Sequence, residues 1–324
     1  MFDLGKEFMK KHLVFIDGAH GTTGLEIKQR LLCHPNVELL SISEEDRKDQ
    51  KKRVELIEKA ELSFLCLPDE ASRQVVGALK GAGRLLDAST AHRTHRQWVY
   101  GLPEIASGQR EKIKGARRVS VPGCHATGFV LLARPLVEKR VLDSKTSMVA
   151  FSVTGYSGGG KAMIQQYEKV GVSMGHSGQY GLAQDHKHLP EMKRMSLLSR
   201  EPTFIPVVGN YYRGMVVSLP LGSLVKNLRY PLEELEQLYS EYYSGEELVG
   251  VRKRQEGFLY GDEWAGYDDV MITVYGKEEN PMVAVSFDNL GKGASAAAVQ
   301  CMNLMLGLPE SQGLTIGKKE RAEV

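Results

Sequence analysis

Short apolar runs and amphipathic stretches alternate through the first third of the chain. The run Leu13-Val14-Phe15-Ile16 precedes a helical pattern over 22–33 and a second apolar run at 37–42. Further strand-like runs stand at 62–67, 84–87 and 118–121, separated by helical stretches such as 71–80. Regular strand–helix alternation predicts parallel strands joined by crossover helices, hence an α/β, Rossmann-type doubly wound nucleotide-binding domain. From Cys124 onward the pattern changes. A helical stretch at 127–137 is followed by longer β-rich runs at 147–154, 203–208, 215–219, 271–275 and 283–287, which predict a second, α+β domain. The amphipathic stretch 293–306 has a glycine-rich entry and is expected to pack back on the first domain. The expected division is 1–122 with 290–324 for the nucleotide-binding domain and 123–289 for the catalytic one. There is no internal repeat, and the charged stretch 44–52 reads as a solvated loop and helix start.

Charge narrows the partners. Across 324 residues, 42 Lys and Arg face 40 Asp and Glu, a formal charge of +2. Such a balance makes no field for phosphate backbones or anionic membranes, so neither nucleic acid nor membrane is expected as a partner. No apolar run approaches the ~18 residues of a membrane span, and the first residues lack the apolar core of a secretory signal. A cytoplasmic location is expected. Four widely spaced cysteines (33, 66, 124, 301) suit reduced thiols, and they lack the spacing of a metal site.

Two segments carry candidate chemistry. The first apolar run leads into Asp17-Gly18-Ala19-His20-Gly21-Thr22-Thr23-Gly24, where glycines let the backbone approach a pyrophosphate and a helix start offers unpaired amides. A tight turn with close helix packing is the alternative. After the second run stand Ser41 and Ser43, with Arg47 and Lys48 beyond. Hydroxyls and cations there suit a 2′-phosphate, favouring NADP over NAD, unless both cations merely solvate the loop. The second segment is Val121-Pro122-Gly123-Cys124-His125. A thiol between a strand and a helix start feels the positive end of the helix dipole, which favours the thiolate. The other three cysteines sit in apolar patterns and read as small buried hydrophobes. His125 is adjacent but points elsewhere on a helix start, so a histidine from another segment is the better base.

The ordered set Gly18-Ala-His-Gly21-Thr-Thr-Gly24, Asp87-Ala-Ser-Thr-Ala-His-Arg93, Tyr100-Gly-Leu-Pro-Glu104, Pro122-Gly-Cys-His-Ala-Thr-Gly128, Gly155-Tyr-Ser-Gly-Gly-Gly-Lys161, His186-Lys-His-Leu-Pro-Glu191 and Asn289-Leu-Gly-Lys-Gly293 resembles the N-acetyl-γ-glutamyl-phosphate reductase family, most of all its shorter form. The resemblance runs from about residue 13 to 308. It departs at Ser295-Ala296, where an Ala-Gly pair is expected; that alters packing near the cofactor without touching the chemistry.

The resemblance implies a catalytic domain like that of glyceraldehyde-3-phosphate dehydrogenase and NADPH-dependent reduction of an acyl phosphate in arginine biosynthesis through a Cys124 thioester. The proton carrier would be His188 or His186, with Glu191 as orienting partner of His188. Arg93 would meet a substrate carboxylate or stand in a structural ion pair. Ser157, Gly158 and Lys161 would form an anion site, and Asn289, Gly291 and Gly293 would approach the nicotinamide. A homodimer or homotetramer is implied. Alternatives are an aspartate-semialdehyde dehydrogenase-type enzyme, a carrier-bound aminoadipyl phosphate reductase and, from a different class, a non-catalytic NADPH-sensing regulator.

Overall fold

The computed structural model describes residues 11–81, 83–169, 175–222, 224, 231–253 and 256–317. The expected domain limits at 1 and 324 lie outside them. The chain begins with β1 (His12–Asp17), α1 (Thr22–Leu32), β2 (Val37–Leu40), α2 (Gln50–Lys59), β3 (Leu62–Leu65), α3 (Asp69–Ala78), β4 (Arg84–Asp87), β5 (Val99–Tyr100), α4 (Gln109–Gly115) and β6 (Arg118–Ser120). These strands form one parallel sheet in the order β2-β1-β3-β4-β6-β5. The period-two alternation of strands splits its core: Val14, Ile16, Phe64 and Leu86 pack on one face, while Phe15, Leu65 and Leu85 pack on the other with Ile57 of α2 and Val75 of α3. Strand order reverses at β1, so a crevice opens between the C-terminal ends of β1 and β3, where such sheets take their ligands.

The second unit comprises α5 (Cys124–Glu138), β7 (Val149–Gly155), α6 (Gly160–Lys169), β8 (Gly178–Gln179), α7 (Leu189–Met195), β9 (Thr203–Gly209), β10 (Met215–Pro220), α8 (Leu232–Tyr242), β11 (Val249–Lys253), β12 (Val270–Lys277) and β13 (Asn280–Phe287). Its mixed sheet runs β11-β12-β13-β10-β7-β9-β8. Met215, Val217, Leu219, Val283 and Val285 point to the face covered by α5 and α8. The alternate residues Phe151, Val153, Val216, Tyr275 and Met282 line an apolar hollow on the other face.

A π-helical turn (Gly291–Ser295) leads into the closing helix α9 (Ala296–Leu306). The sequence pattern predicts an amphipathic helix, yet every residue from Ala296 to Met305 is buried. The reason is position: α9 packs against α1, α4 and β4, and its polar residues find internal partners. Gln300 donates to Glu104 (2.7 Å) and Glu310 (2.7 Å), and Asn303 to the carbonyls of Glu310 and Gln312. Ser295, the departure from the family pattern, accepts from Arg30 of α1 (2.9 Å) and donates to the Leu290 carbonyl, so its hydroxyl ties the π turn to α1.

Within that turn Lys292 is fully buried and donates to Glu104 (2.6 Å) and Gln300 (2.5 Å). Burial alone would raise the Glu104 carboxyl; the Lys292 charge and the hydrogen bonds from Lys292 and Gln300 hold it below the usual range. Lys292→Met therefore leaves a buried carboxylate uncompensated and is expected to cost about 3–5 kcal/mol. Chemical denaturation checks this, and the added change Glu104→Leu should recover part of the loss; a single variant as stable as the parent would contradict it.

Candidate active site

A cleft of about 360 Å³ is lined by residues following β1, β4 and β6 of the first unit and β7, β8 and β13 of the second. Gly18, at φ +85°, turns the chain so closely under β3 that a Cβ there would lie 2.3 Å from the Cys66 carbonyl oxygen; one on Gly24 would lie 2.4 Å from that of Gly18. Only glycine fits such contacts. Gly21 precedes α1 with extended backbone and no side-chain cap, leaving the first amides of α1 to an outside acceptor. Thr22 and Thr23 line the cleft. This cradle fits a dinucleotide pyrophosphate.

At the outer end, His20 and Arg47 both reach Glu44, at 3.2 and 2.9 Å. The hydroxyls and cations after β2 are thus joined by an acid: Glu44, one residue past Ser43, brings a carboxylate to the turn. Ser41 is exposed, and the Ser43 hydroxyl accepts from the Asp46 amide (3.0 Å). Arg53 of α2 donates through its Nε and Nη2 to the Asp17 carboxylate, at the end of β1, at 2.7–3.0 Å.

Cys124 is the first residue of α5, three residues earlier than the helix predicted from sequence. The expected lowering of its pKa is outweighed. Packing around the sulfur pushes the thiol up to about 11, against the His125 amide and the charges of Arg93 and Lys187, which act the other way. Gly293 of the π turn closes over it, since a Cβ on Gly293 would lie 2.8 Å from the Cys124 Cβ. Cys301 is buried as expected and Cys66 partly so, whereas Cys33 is exposed because it caps α1 at the surface.

Asp87 organises the loop after β4, accepting from Ser89 and bonding the His92 ring at 2.5 Å. Arg93, presented by this loop, donates to the carbonyls of Val121 (2.9 Å) and Ala88 (3.1 Å) and to Glu191 (2.9 Å). Glu191 also accepts from the Tyr100 hydroxyl (2.9 Å) and the Gly123 amide (3.2 Å). Its distance to the His188 Nε2 is 4.0 Å, so it bonds the arginine rather than the histidine.

His188 stands against Gly123: a Cβ there would lie 2.3 Å from its Nε2. Its Nδ1 is buried without a hydrogen-bond partner among the described residues. Desolvation, then the charge of Arg93, holds His188 well below the usual imidazole range; burial and Lys187 bring His186 down to about 4, and burial and His186 bring His125 to about 3. His125 has both nitrogens engaged, with Ser152 (2.8 Å) and Tyr180 (2.6 Å). The His186 Nδ1 accepts from the His188 amide (3.2 Å).

Asn289 donates to the Ser157 hydroxyl (3.0 Å) and accepts from the Gly214 amide (2.7 Å). Both Asn289 and Ser157 line the cleft with Gly158. The expected run of free amides is shorter than predicted, because that of Ser157 donates to the Tyr212 carbonyl. Lys161, exposed in the first turn of α6, and Gly291 do not line the cleft.

Residues 13–116 match the family model described as semialdehyde dehydrogenase, NAD binding domain, and residues 124–289 that described as semialdehyde dehydrogenase, dimerisation domain. The chain is 42% identical over 322 residues to N-acetyl-gamma-glutamyl-phosphate reductase 2 of a Nostoc species, covering 94% of this chain and all of the relative. It is 41% identical to the N-acetyl-gamma-glutamyl-phosphate reductase of Brucella ovis, over 92% and 99% of the two chains. The chain belongs to the N-acetyl-gamma-glutamyl-phosphate reductase family. The fold of this family member extends further: aspartate semialdehyde dehydrogenase II of Vibrio cholerae, complexed with ASA, superimposes with a TM-score of 0.70 at 14% identity, covering 92% and 99% of the two chains. The aspartate semialdehyde dehydrogenase of Candida albicans, with NADP, gives 0.64 at 13% over the same shares. Among the described residues no helix is long and apolar enough to cross a membrane.

The sequence reading of this family member left out Tyr180, Lys187 and Glu44, all at the cleft or its outer end. Lys187 stood inside a quoted motif, and Glu44 was visible one residue beyond the serines. Tyr180 carries no signal, since only the pairing of β8 with β9 brings it over His125.

Proposed function

We propose that this chain reduces N-acetyl-γ-glutamyl phosphate to N-acetylglutamate semialdehyde with release of phosphate, using NADPH and a covalent Cys124 thioester. The observation that carries this reading is one cleft in which a thiol at a helix start, a histidine ring nitrogen and the dinucleotide turn meet. The Cys124 sulfur attacks the acyl carbon; the C–S bond forms, the C–O bond to phosphate breaks and phosphate leaves. The turn after β1 would hold the pyrophosphate of a nicotinamide dinucleotide, which when bound would supply the hydride for reducing the thioester to a thiohemiacetal. The first-turn amides of α5 hold the oxyanion. Collapse to aldehyde moves a proton from oxygen to sulfur. His188 is assigned that transfer, because the ring nitrogens of His125 are engaged while the His188 Nε2 faces the residue before Cys124. Three of the five N–H groups of Arg93 hold Glu191 and the loop, which leaves two for a substrate carboxylate.

The cofactor unit is taken as 1–122 with 290–324, supported by the packing of α9 on α1 and β4, and the substrate unit as 123–289. A second copy is assigned to the open face of the second sheet, where Phe151, Phe258 and Tyr260 are exposed, making a homodimer or a pair of such dimers. Four free cysteines suit a reducing cytoplasm.

For the cofactor, a 2′-phosphate would compete with Glu44 for Arg47 and His20. Glu44→Gln is expected to raise the ratio of kcat/KM for NADP over NAD by about two- to five-fold, the scale of an exposed ion pair. An unchanged ratio would remove Arg47 from the 2′-phosphate site.

The deciding assay runs in reverse, with NADP and phosphate, on N-acetylglutamate semialdehyde, aspartate semialdehyde and carrier-bound aminoadipate semialdehyde. Turnover of the first alone supports the proposal, and turnover of another replaces the substrate. Cofactor binding without any turnover leaves the sensing regulator.

A further inference from the structure

The cleft has almost no formal charge of its own. Among the described residues that line it there is no carboxylate, and the cations are Arg93 and Lys187. Arg93 gives three of its five N–H groups to Glu191 and two carbonyls, and the other two are assigned above to the substrate carboxylate. His125, His186 and His188 crowd together, with ring centroids 4.7–5.7 Å apart, and their burial keeps them uncharged at neutral pH. Lys187 differs from all of these. It is exposed, it projects from the turn that carries His186 and His188, and it makes no ion pair among the described residues. The nearby Asp69 accepts from the Thr90 amide (2.8 Å) and hydroxyl and also feels the Lys187 charge, without a direct ion pair between the two side chains.

An acyl phosphate brings a doubly charged group into this space, next to a sulfur that must itself become an anion. Resting on the function proposed above, we infer that Lys187 is the phosphate-binding residue of this cleft, pairing with the leaving phosphoryl group in the forward direction and with inorganic phosphate in reverse. Lys187 and Cys124 line the same cleft, and the Lys187 charge acts on the Cys124 thiol. In the reverse step a phosphate oxygen attacks the thioester carbon. The C–O bond forms, the C–S bond breaks and its electron pair returns to the Cys124 sulfur. Lys187 exchanges no proton; it offsets the charge of the phosphate that approaches and draws it toward the thioester. The same charge helps keep His186 and His188 neutral, which ties the anion site to the histidines electrostatically as well as by sequence.

The test compares the full-length enzyme with Lys187→Met and Lys187→Arg, varying inorganic phosphate in the reverse assay with N-acetylglutamate semialdehyde. Lys187→Met is expected to raise the phosphate KM by about 10- to 100-fold, the fold-change of a lost charge-assisted hydrogen bond, with the NADP KM unchanged. Lys187→Arg should restore the phosphate KM to within several-fold of the parent. An unchanged phosphate KM in Lys187→Met overturns the inference. So does a rise confined to the semialdehyde KM, which would assign Lys187 to the substrate carboxylate. A parent enzyme with no phosphate-dependent turnover would instead sink the proposed function, and this inference with it.

Discussion

Cys124→Ser is expected to lower phosphate-dependent NADP reduction by on the order of 10⁴-fold or more in kcat, the scale seen when a covalent nucleophile is removed. A hydroxyl in place of the thiol keeps the volume and the first turn of α5, so the cofactor should still bind. What is lost is the thioester, and with it a carbonyl that hydride can reduce. The raised pKa adds a second expectation. With burial pushing the thiol up to about 11, very little of Cys124 is thiolate at pH 7. Iodoacetamide should therefore alkylate Cys124 slowly at neutral pH and faster as pH rises, with the rate still climbing above pH 9. Mass spectrometry of the quenched enzyme should find the acyl group on the peptide holding Cys124. More than about one hundredth of parental activity in the serine variant would sink the covalent step.

His188→Asn should lower kcat by about 10²- to 10⁴-fold, the usual worth of a general acid–base group, and leave the KM for NADP nearly unchanged. The direction of its pKa sets the pH profile. A histidine held well below 6.5 stays neutral, and so able to accept a proton, down to pH values where an ordinary histidine has become charged. The acid limb of kcat/KM is thus expected below pH 6.5, and it should vanish in His188→Asn. Because the thiol and the imidazole share a proton, the observed limbs belong to the pair rather than to either residue. If His186→Asn suffers the larger loss and His188→Asn the smaller, the proton carrier moves to His186.

Five strands of the parallel sheet were legible because each carries its own apolar run, a local property; β5, only Val99–Tyr100, carries none and was not read. The tight turn after β1 was legible for a similar reason: Gly18 and Gly24 meet backbone atoms at distances only glycine allows, and such positions mark a sequence strongly. The electrostatics of the site were not. A helix start next to Cys124 suggested a favoured thiolate, but burial outweighs the His125 amide there, and residues that enclose the thiol include Gly293, some 170 residues later in the chain. Glu191 looked like the orienting partner of His188 because the two share one segment; in space the stronger bond goes to Arg93, nearly a hundred residues earlier. The amphipathic reading of α9 failed because polar residues such as Gln300 and Asn303 look alike in sequence whether they meet water or buried partners. Burial of that kind is a property of the assembled units, not of the segment.

The placement of α9 also sets an order of events in synthesis. The unit that the ribosome makes first is completed only late, since the core of the parallel sheet lacks Val299, Cys301 and Met302 until α9 has emerged. The second unit, contiguous from α5 to β13, has all of its strands beforehand and can condense while the first still waits. The nucleophile follows the same schedule: the turn bearing Gly293 reaches Cys124 only as the last helix docks, so the thiol stays uncovered in the nascent chain and is enclosed at the final step.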